Sequence, residues 1–194
     1  MPIHLSRFRT ELAFKSRLLF FFFFAAGPLL QGASCEVIFE KAAPSMAEFL
    51  VNFAIESNDI YYTRKSSLEA AKEVFAISDS VFKTGVVEIL KKGDEIVGFY
   101  TLKLHLPTSD WFEHELGHLF VKAGGQGRRW GSILFRRAIF VAKEKGWQKL
   151  QWLSDPDAET FYLKMGGTIT GYCENLLNPD VDLPIFSFFL GKEL

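Results

Sequence analysis

The stretch from Leu116 to Ala142 constrains this chain more than any other. An apolar run, Leu116 to Val121, is broken by Gly117 and His118 and leads into a glycine-bearing segment, Gly124 to Gly131. Behind it Ile133, Leu134, Ala138, Val141 and Ala142 recur at helical spacing, and the pattern stops before Gly146. Strand, small-residue loop and helix start bring unpaired backbone N–H groups to one point, with the positive end of a helix dipole behind them. Such a point holds an anion, a diphosphate above all. Arg128 and Arg129 add positive charge. The segment is no P-loop, because Gly-Lys-Ser/Thr is missing. A dinucleotide fingerprint would need this strand to open a βαβ unit with an acid about 20 residues on. On its own, the segment is equally a tight turn.

The rest of the chain supplies strands and helices in a definite order. Val37-Ile38-Phe39 is a β-type run. Ser45 to Glu48 reads as a capping box that opens a helix with Met46, Phe49, Leu50 and Phe53 on one face. Ser66 to Glu69 reads as a second, followed by the stripe Leu68, Ala71, Val74 and Phe75. Val86–Leu90 and Glu95–Leu104 form a hairpin around Gly93-Asp94. Leu150–Leu153 is a short strand, and Asp155-Pro156 starts a helix bearing Ala158, Phe161, Tyr162 and Met165, stopped by Gly166-Gly167. Thr168–Glu174 and Ile185–Leu190 close the order β-α-α-β-β-β-α-β-α-β-β. The fold class is α/β (α+β by some schemes).

Residues 1–34 stand apart. Arg7, Arg9, Lys15 and Arg17 face a single acid, Glu11, and precede Leu18, Leu19 and five phenylalanines, Phe20 to Phe24. This layout suits an export signal, a membrane-associating segment over 18–30, or a mis-started extension; the folded domain is expected over 35–194. The 194 residues are 48% hydrophobic and 23% charged, which is the composition of a core-forming domain. A net charge of −1 removes the electrostatic case for a nucleic-acid partner. Two cysteines, Cys35 and Cys173, cannot build a disulfide framework or a four-thiolate zinc site.

His114-Glu115-Leu116-Gly117-His118 matches the H-E-x-x-H pattern of zinc peptidases. There the two imidazoles sit one helical turn apart, with Glu115 as the base. Glu144 and Glu159 are the candidate third ligands. Against it, Trp111, Phe112 and Leu119-Phe120-Val121 suit a strand, and no metal is expected.

Gln126-Gly127-Arg128-Arg129-Trp130-Gly131, with the later Ala158, Phe161, Tyr162 and Gly166, resembles the GNAT superfamily of N-acetyltransferases. The resemblance covers about four-fifths of the chain, from Glu36 to Leu190. Two positions depart from the pattern: Arg129 replaces a middle glycine, and Asp157 stands where asparagine is common. The resemblance implies a mixed, mostly antiparallel sheet with flanking helices, whose fourth and fifth strands splay around acyl-CoA. Phe120 and Val121 would then meet the pantetheine. The loop from Gln126 through Gly127, Arg128, Arg129, Trp130 and Gly131, with Ser132, would hold the diphosphate, and Asp157 and Phe161 would line the arm and thioester channel. Tyr162 becomes the general acid, and Glu115, or else His118, the general base. Strand alternation sets Glu115 and His118 on opposite faces. The implied reaction is transfer of acetyl from acetyl-CoA to a small-molecule or peptide amine, in the cytoplasm. A binding module without turnover is the non-enzymatic alternative. Acceptor identity and oligomeric state are left open. His105 is given no role.

Overall fold

The computed structural model describes residues 36–58, 68–105, 112–125 and 127–191. The chain divides between Ser34 and Cys35 into two units, and the described residues all belong to the second. The expectations for residues 1–34, Ser66, Trp111 and Gln126 lie outside the described residues.

Seven strands form one sheet: β1 (Val37–Lys41), β2 (Val86–Lys92), β3 (Glu95–Leu104), β4 (His114–Val121), β5 (Lys149–Leu153), β6 (Thr168–Cys173) and β7 (Leu183–Phe189). The order across the sheet is β1-β2-β3-β4-β5-β7-β6. Every adjacent pair is antiparallel except β4 and β5, which run parallel. The helices are α1 (Ala47–Ser57), α2 (Leu68–Val74), α3 (Asp79–Thr84), α4 (Trp130–Glu144) and α5 (Glu159–Lys164). The expected mixed, mostly antiparallel sheet is present.

Each sheet face carries its own core. On one face α4 and α5 cover Leu102, Leu116, Leu150, Trp152 and Phe186; on the other α1, α2 and α3 cover Val87, Ile89 and Phe99. Burial of this kind stabilises by roughly 25 cal/mol per Å² of apolar surface. Glu88 crosses this pattern. Its buried carboxylate accepts from Tyr100 Oη (2.7 Å) and from Arg137 Nε (2.8 Å) and Nη2 (2.9 Å), tying β2, β3 and α4 together.

Several local expectations need correction. The Ser45–Glu48 capping box does not form. Pro44 starts a 3-10 turn over Pro44–Met46 behind an extended Ala43, and α1 follows with no side-chain cap. Proline at the first position presets the turn and leaves Ser45 inside it. In the second stripe Ala71 and Phe75 are buried, but Leu68 and Val74 are 52% and 45% exposed. The helix stops at Val74, and α3 supplies the remaining cover through Val81. The sequence reading omitted α3, a six-residue element too short to show a period.

Candidate functional site

The site is built on β4. Thr101 lies opposite His118, yet Leu102 lies opposite Leu116, so Gly117 is one residue too many and makes a bulge. Lys103 lies opposite Glu115. Thr101 and Lys103 share a face of β3, so Glu115 and His118 share a face of β4. The expectation that they oppose each other is thus overturned by the bulge. A Cβ at Gly117 would lie 2.2 Å from Lys103 Cε, so the Lys103 side chain lies across the glycine and would have to swing aside for any larger residue.

Beyond the bulge the strands part. Among the described residues β4 and β5 pair at one register position, Glu115 opposite Gln151, and β4 runs on to Val121 without a β5 partner. The expected splay of the fourth and fifth strands follows from this.

At the end of the parted segment the chain turns into α4. Lys122 N donates to Val97 O at 2.9 Å and Gly125 N to Lys122 O at 2.8 Å. Gly124, Gly127 and Arg129 adopt φ of 73°, 78° and 63°. Arg129 is the residue before the helix and makes no side-chain cap. The first helical bond runs from Ile133 N to Arg129 O, 3.0 Å. The N–H groups of Trp130, Gly131 and Ser132 therefore precede the intrahelical ladder, at the positive end of a 15-residue helix. The N–H of Arg128 is not among them, since it donates to Gly125 O at 3.3 Å. The Arg128 guanidinium lies 5.3 Å from the centre of the Trp130 ring. Gly131 leaves a shallow recess: a Cβ there would lie 3.5 Å from the Phe161 ring and 3.9 Å from Val121 Cγ1. Phe161, Val121 and the helix start therefore meet at one place. Asp157 sits in the turn before α5, where its N–H donates to Asp155 Oδ1 at 2.9 Å.

Tyr162 rises from α5 on the α4 face. Its ring packs 5.0 Å from Trp152, 4.9 Å from Phe161 and 5.8 Å from Phe135. Burial, reinforced by the Asp155 carboxylate, pushes the phenol well above its ordinary range, so it stays protonated.

On the α1–α3 face, His118 is 4% exposed among the Phe75, Phe99 and Phe120 rings. Its Nδ1 lies 2.8 Å from Thr101 Oγ1, and it also bonds to the Phe75 backbone. Burial, with Lys103 nearby, pushes its pKa down to about 3, so the ring is neutral. Phe120 packs in the same aromatic group, with its ring centre 5.3 Å from Phe75. Glu115 is paired instead with Lys103 Nζ (3.1 Å) and His105 Nε2 (2.5 Å). Lys103 and His105 were missed by the sequence reading. Their signal was the alternation 101, 103, 105 along one face of β3 and its continuation.

The zinc geometry is not formed. His114–Val121 is a strand, and the helix that the pattern requires is absent from it. His114 stacks on Trp147 at 4.4 Å on the α4 face, whereas His118 lies on the other. Glu144 ends α4 and Glu159 starts α5. Among the described residues no three His, Cys, Asp or Glu side chains group as metal ligands.

The model of the Acetyltransferase (GNAT) family matches residues 51–167. Among solved structures, a GNAT-family acetyltransferase from Staphylococcus aureus Mu50 is 17% identical, with a TM-score of 0.61, covering 80% of this chain and 99% of that one. A GNAT-family acetyltransferase from Elizabethkingia anophelis with acetyl-CoA bound is 17% identical, with a TM-score of 0.57, covering 79% and 97%. The PaiA N-acetyltransferase of Thermoplasma acidophilum, in complex with coenzyme A, is also 17% identical, with a TM-score of 0.57, covering 79% and 99%. At these identities the likeness is one of fold. No curated protein matches the chain.

Proposed function

The chain belongs to the GNAT acetyltransferase family, and from that premise we propose that it moves an acetyl group from acetyl-CoA to a primary amine by direct attack in a ternary complex. One observation carries the reading: the parted β4–β5 segment ends at an uncapped helix start, so a gap and an anion-binding point adjoin. The N–H groups of Trp130, Gly131 and Ser132, with Arg128 and Arg129 beside them, are suited to a diphosphate. Backbone groups of Phe120 and Val121 are free of a β5 partner to meet the pantetheine, and Phe161 and Asp157 flank its path.

The reaction removes two protons from the acceptor nitrogen and delivers one to the sulfur. The acceptor arrives as an ammonium and must lose a proton before its nitrogen lone pair can attack the thioester carbon. Glu115 is the base in this reading. His118 is enclosed and bonded on its ring, and it positions the strand instead. The C–S bond then breaks, and the departing thiolate takes the Tyr162 hydroxyl proton. Attack leaves the nitrogen positive with one proton too many; that proton passes to the Tyr162 oxygen as the amide forms, restoring the neutral phenol that burial favours. Acetyl-CoA is made and used inside cells, so this reading puts the domain in the cytoplasm. Among the described residues no helix is long and apolar enough to cross a membrane.

A thermal-shift screen of the full chain against CoA thioesters should raise the apparent stability with acetyl-CoA. Thiol release should then follow on addition of a suitable amine. Binding without thiol release across a broad amine panel would leave a binding module; no shift with any thioester would remove the reading altogether.

A further inference from the structure

Both oxygens of Glu115 are engaged. Oε1 accepts from Lys103 Nζ at 3.1 Å, and Oε2 lies 2.5 Å from His105 Nε2. The Glu115 side chain is 14% exposed and that of His105 25%, so the imidazole offers the larger surface to an incoming amine. Lys103 cannot take a proton, since an ammonium has no lone pair. His105 can. With Glu115 ionised, Nε2 carries the ring proton and donates it, which leaves the lone pair on Nδ1. Among the described residues Nδ1 has no partner. A carboxylate on one ring nitrogen fixes the tautomer and stabilises the imidazolium that forms when the other nitrogen is protonated. The residue is held in place as well: His105 N donates to Glu113 O at 2.9 Å, which carries the β3–β4 pairing past Leu104 and His114. Glu115 from β4 and Lys103 from β3 are the charges at the ring; α3 brings the Ser80 and Thr84 hydroxyls to that side and no charged group.

The pair stands at the closed end of the gap. β4 and β5 meet at Glu115 and Gln151 and part from there toward Val121 and the start of α4. A ligand anchored at that helix start and lying along the gap brings its far end back to Glu115. Parted strands also open the sheet from one face to the other, with Glu115 on the α1–α3 face and Tyr162 on the α4 face. We propose that His105 is the catalytic base of the transfer: the acceptor ammonium gives its proton to His105 Nδ1, and Glu115 acts through the imidazole instead of touching the nitrogen. This rests on the transferase reading above and refines the part it gives to Glu115. The ammonium N–H bond breaks and its electron pair stays on nitrogen, free to attack the thioester carbon. The proton makes the second N–H bond of an imidazolium held by Glu115, and it passes to solvent from the exposed ring before the next turnover.

The test uses the full chain with acetyl-CoA and four amines: phenethylamine, spermidine, lysine and a tetrapeptide with a free N-terminus. The amine that gives the fastest thiol release is carried forward. His105→Gln keeps a donor toward Glu115 but has no basic nitrogen. It should lower kcat about 100-fold or more at neutral pH, leave the KM for acetyl-CoA nearly constant, and abolish the acid limb of log kcat against pH. In His105→Ala, added imidazole should restore kcat severalfold. Glu115→Gln should lower kcat by a smaller factor and keep the acid limb. Thermal unfolding establishes that each variant is folded. An acid limb that survives His105→Gln and is lost in Glu115→Gln would return the proton to the carboxylate and overturn the proposal. So would an unchanged kcat in His105→Gln, or no gain from imidazole in a folded His105→Ala. Acetyl-CoA binding with no thiol release from any of the amines would instead overturn the transferase reading on which it stands.

Discussion

At the scale of single residues, the roles proposed for two side chains, Tyr162 and Arg129, can each be tested alone. Tyr162 has little surface and a phenol held protonated by burial, so removing only its hydroxyl changes little in packing. Tyr162→Phe should lower kcat on the order of 10- to 1000-fold while the KM for acetyl-CoA stays nearly constant. Steady-state kinetics decide this, and an unchanged kcat would remove the residue from the mechanism. Arg129 is the described non-glycine residue with a positive φ, 63°. A left-handed conformation costs an L-residue about 1–2 kcal/mol, part of which glycine gives back in unfolded-state entropy. Arg129→Gly should thus stabilise the fold by about 1 kcal/mol or less in urea unfolding, while weakening acetyl-CoA binding through the lost charge. A destabilised variant would show that the arginine side chain holds the loop.

At the scale of elements, glycines set how closely strands, helix and ligand approach. Gly98 on β3 faces α4, and a Cβ there would meet Leu134 Cδ1 and Phe120 O, each at 2.7 Å. One contact is backbone and cannot swing aside. Gly98→Ala should cost about 1–3 kcal/mol in chemical denaturation, the usual range for overpacking. Gly131 meets its neighbours only at ordinary contact distance. Gly131→Glu should therefore leave the apo protein folded yet raise the dissociation constant for CoA, through bulk and like charge at the helix start. Calorimetric titration with CoA would show it, and an unaltered affinity would move the diphosphate elsewhere.

At the scale of the whole molecule, stability and pH are linked through two buried groups on different layers. His118 has a folded-state pKa of about 3 against an ordinary 6.5. Below 6.5 the unfolded chain takes up a proton that the folded one refuses. Stability therefore falls as pH drops from about 6.5 toward 3, by up to about 1.4 kcal/mol per pH unit. Burial would raise the Glu88 carboxyl, but hydrogen bonds from Arg137 and Tyr100 outweigh it and hold the pKa below its ordinary value. Its contribution is present above about 4.5 and is lost on further acidification. Urea unfolding between pH 7 and 5 should show the first slope, and His118→Asn should flatten it.

Much of this molecule was legible before any coordinates. Periodicity of two and of 3.6, the Gly93-Asp94 turn and the small-residue loop before α4 are local properties, fixed by backbone sterics and side-chain pattern; they determined the order of the strands and, α3 apart, of the helices, while the family was legible as a resemblance carried by the loop before α4 and by Ala158, Phe161, Tyr162 and Gly166. The tertiary structure alone decided which residues face each other at the site. Gly117 breaks the apolar run in the sequence, but that it makes a one-residue bulge is decided only against the register of β3. The bulge turns Glu115 and His118 to one face, separates His118 from His114, and brings Lys103 and His105 against Glu115, since pairing across strands joins positions that the chain itself keeps apart.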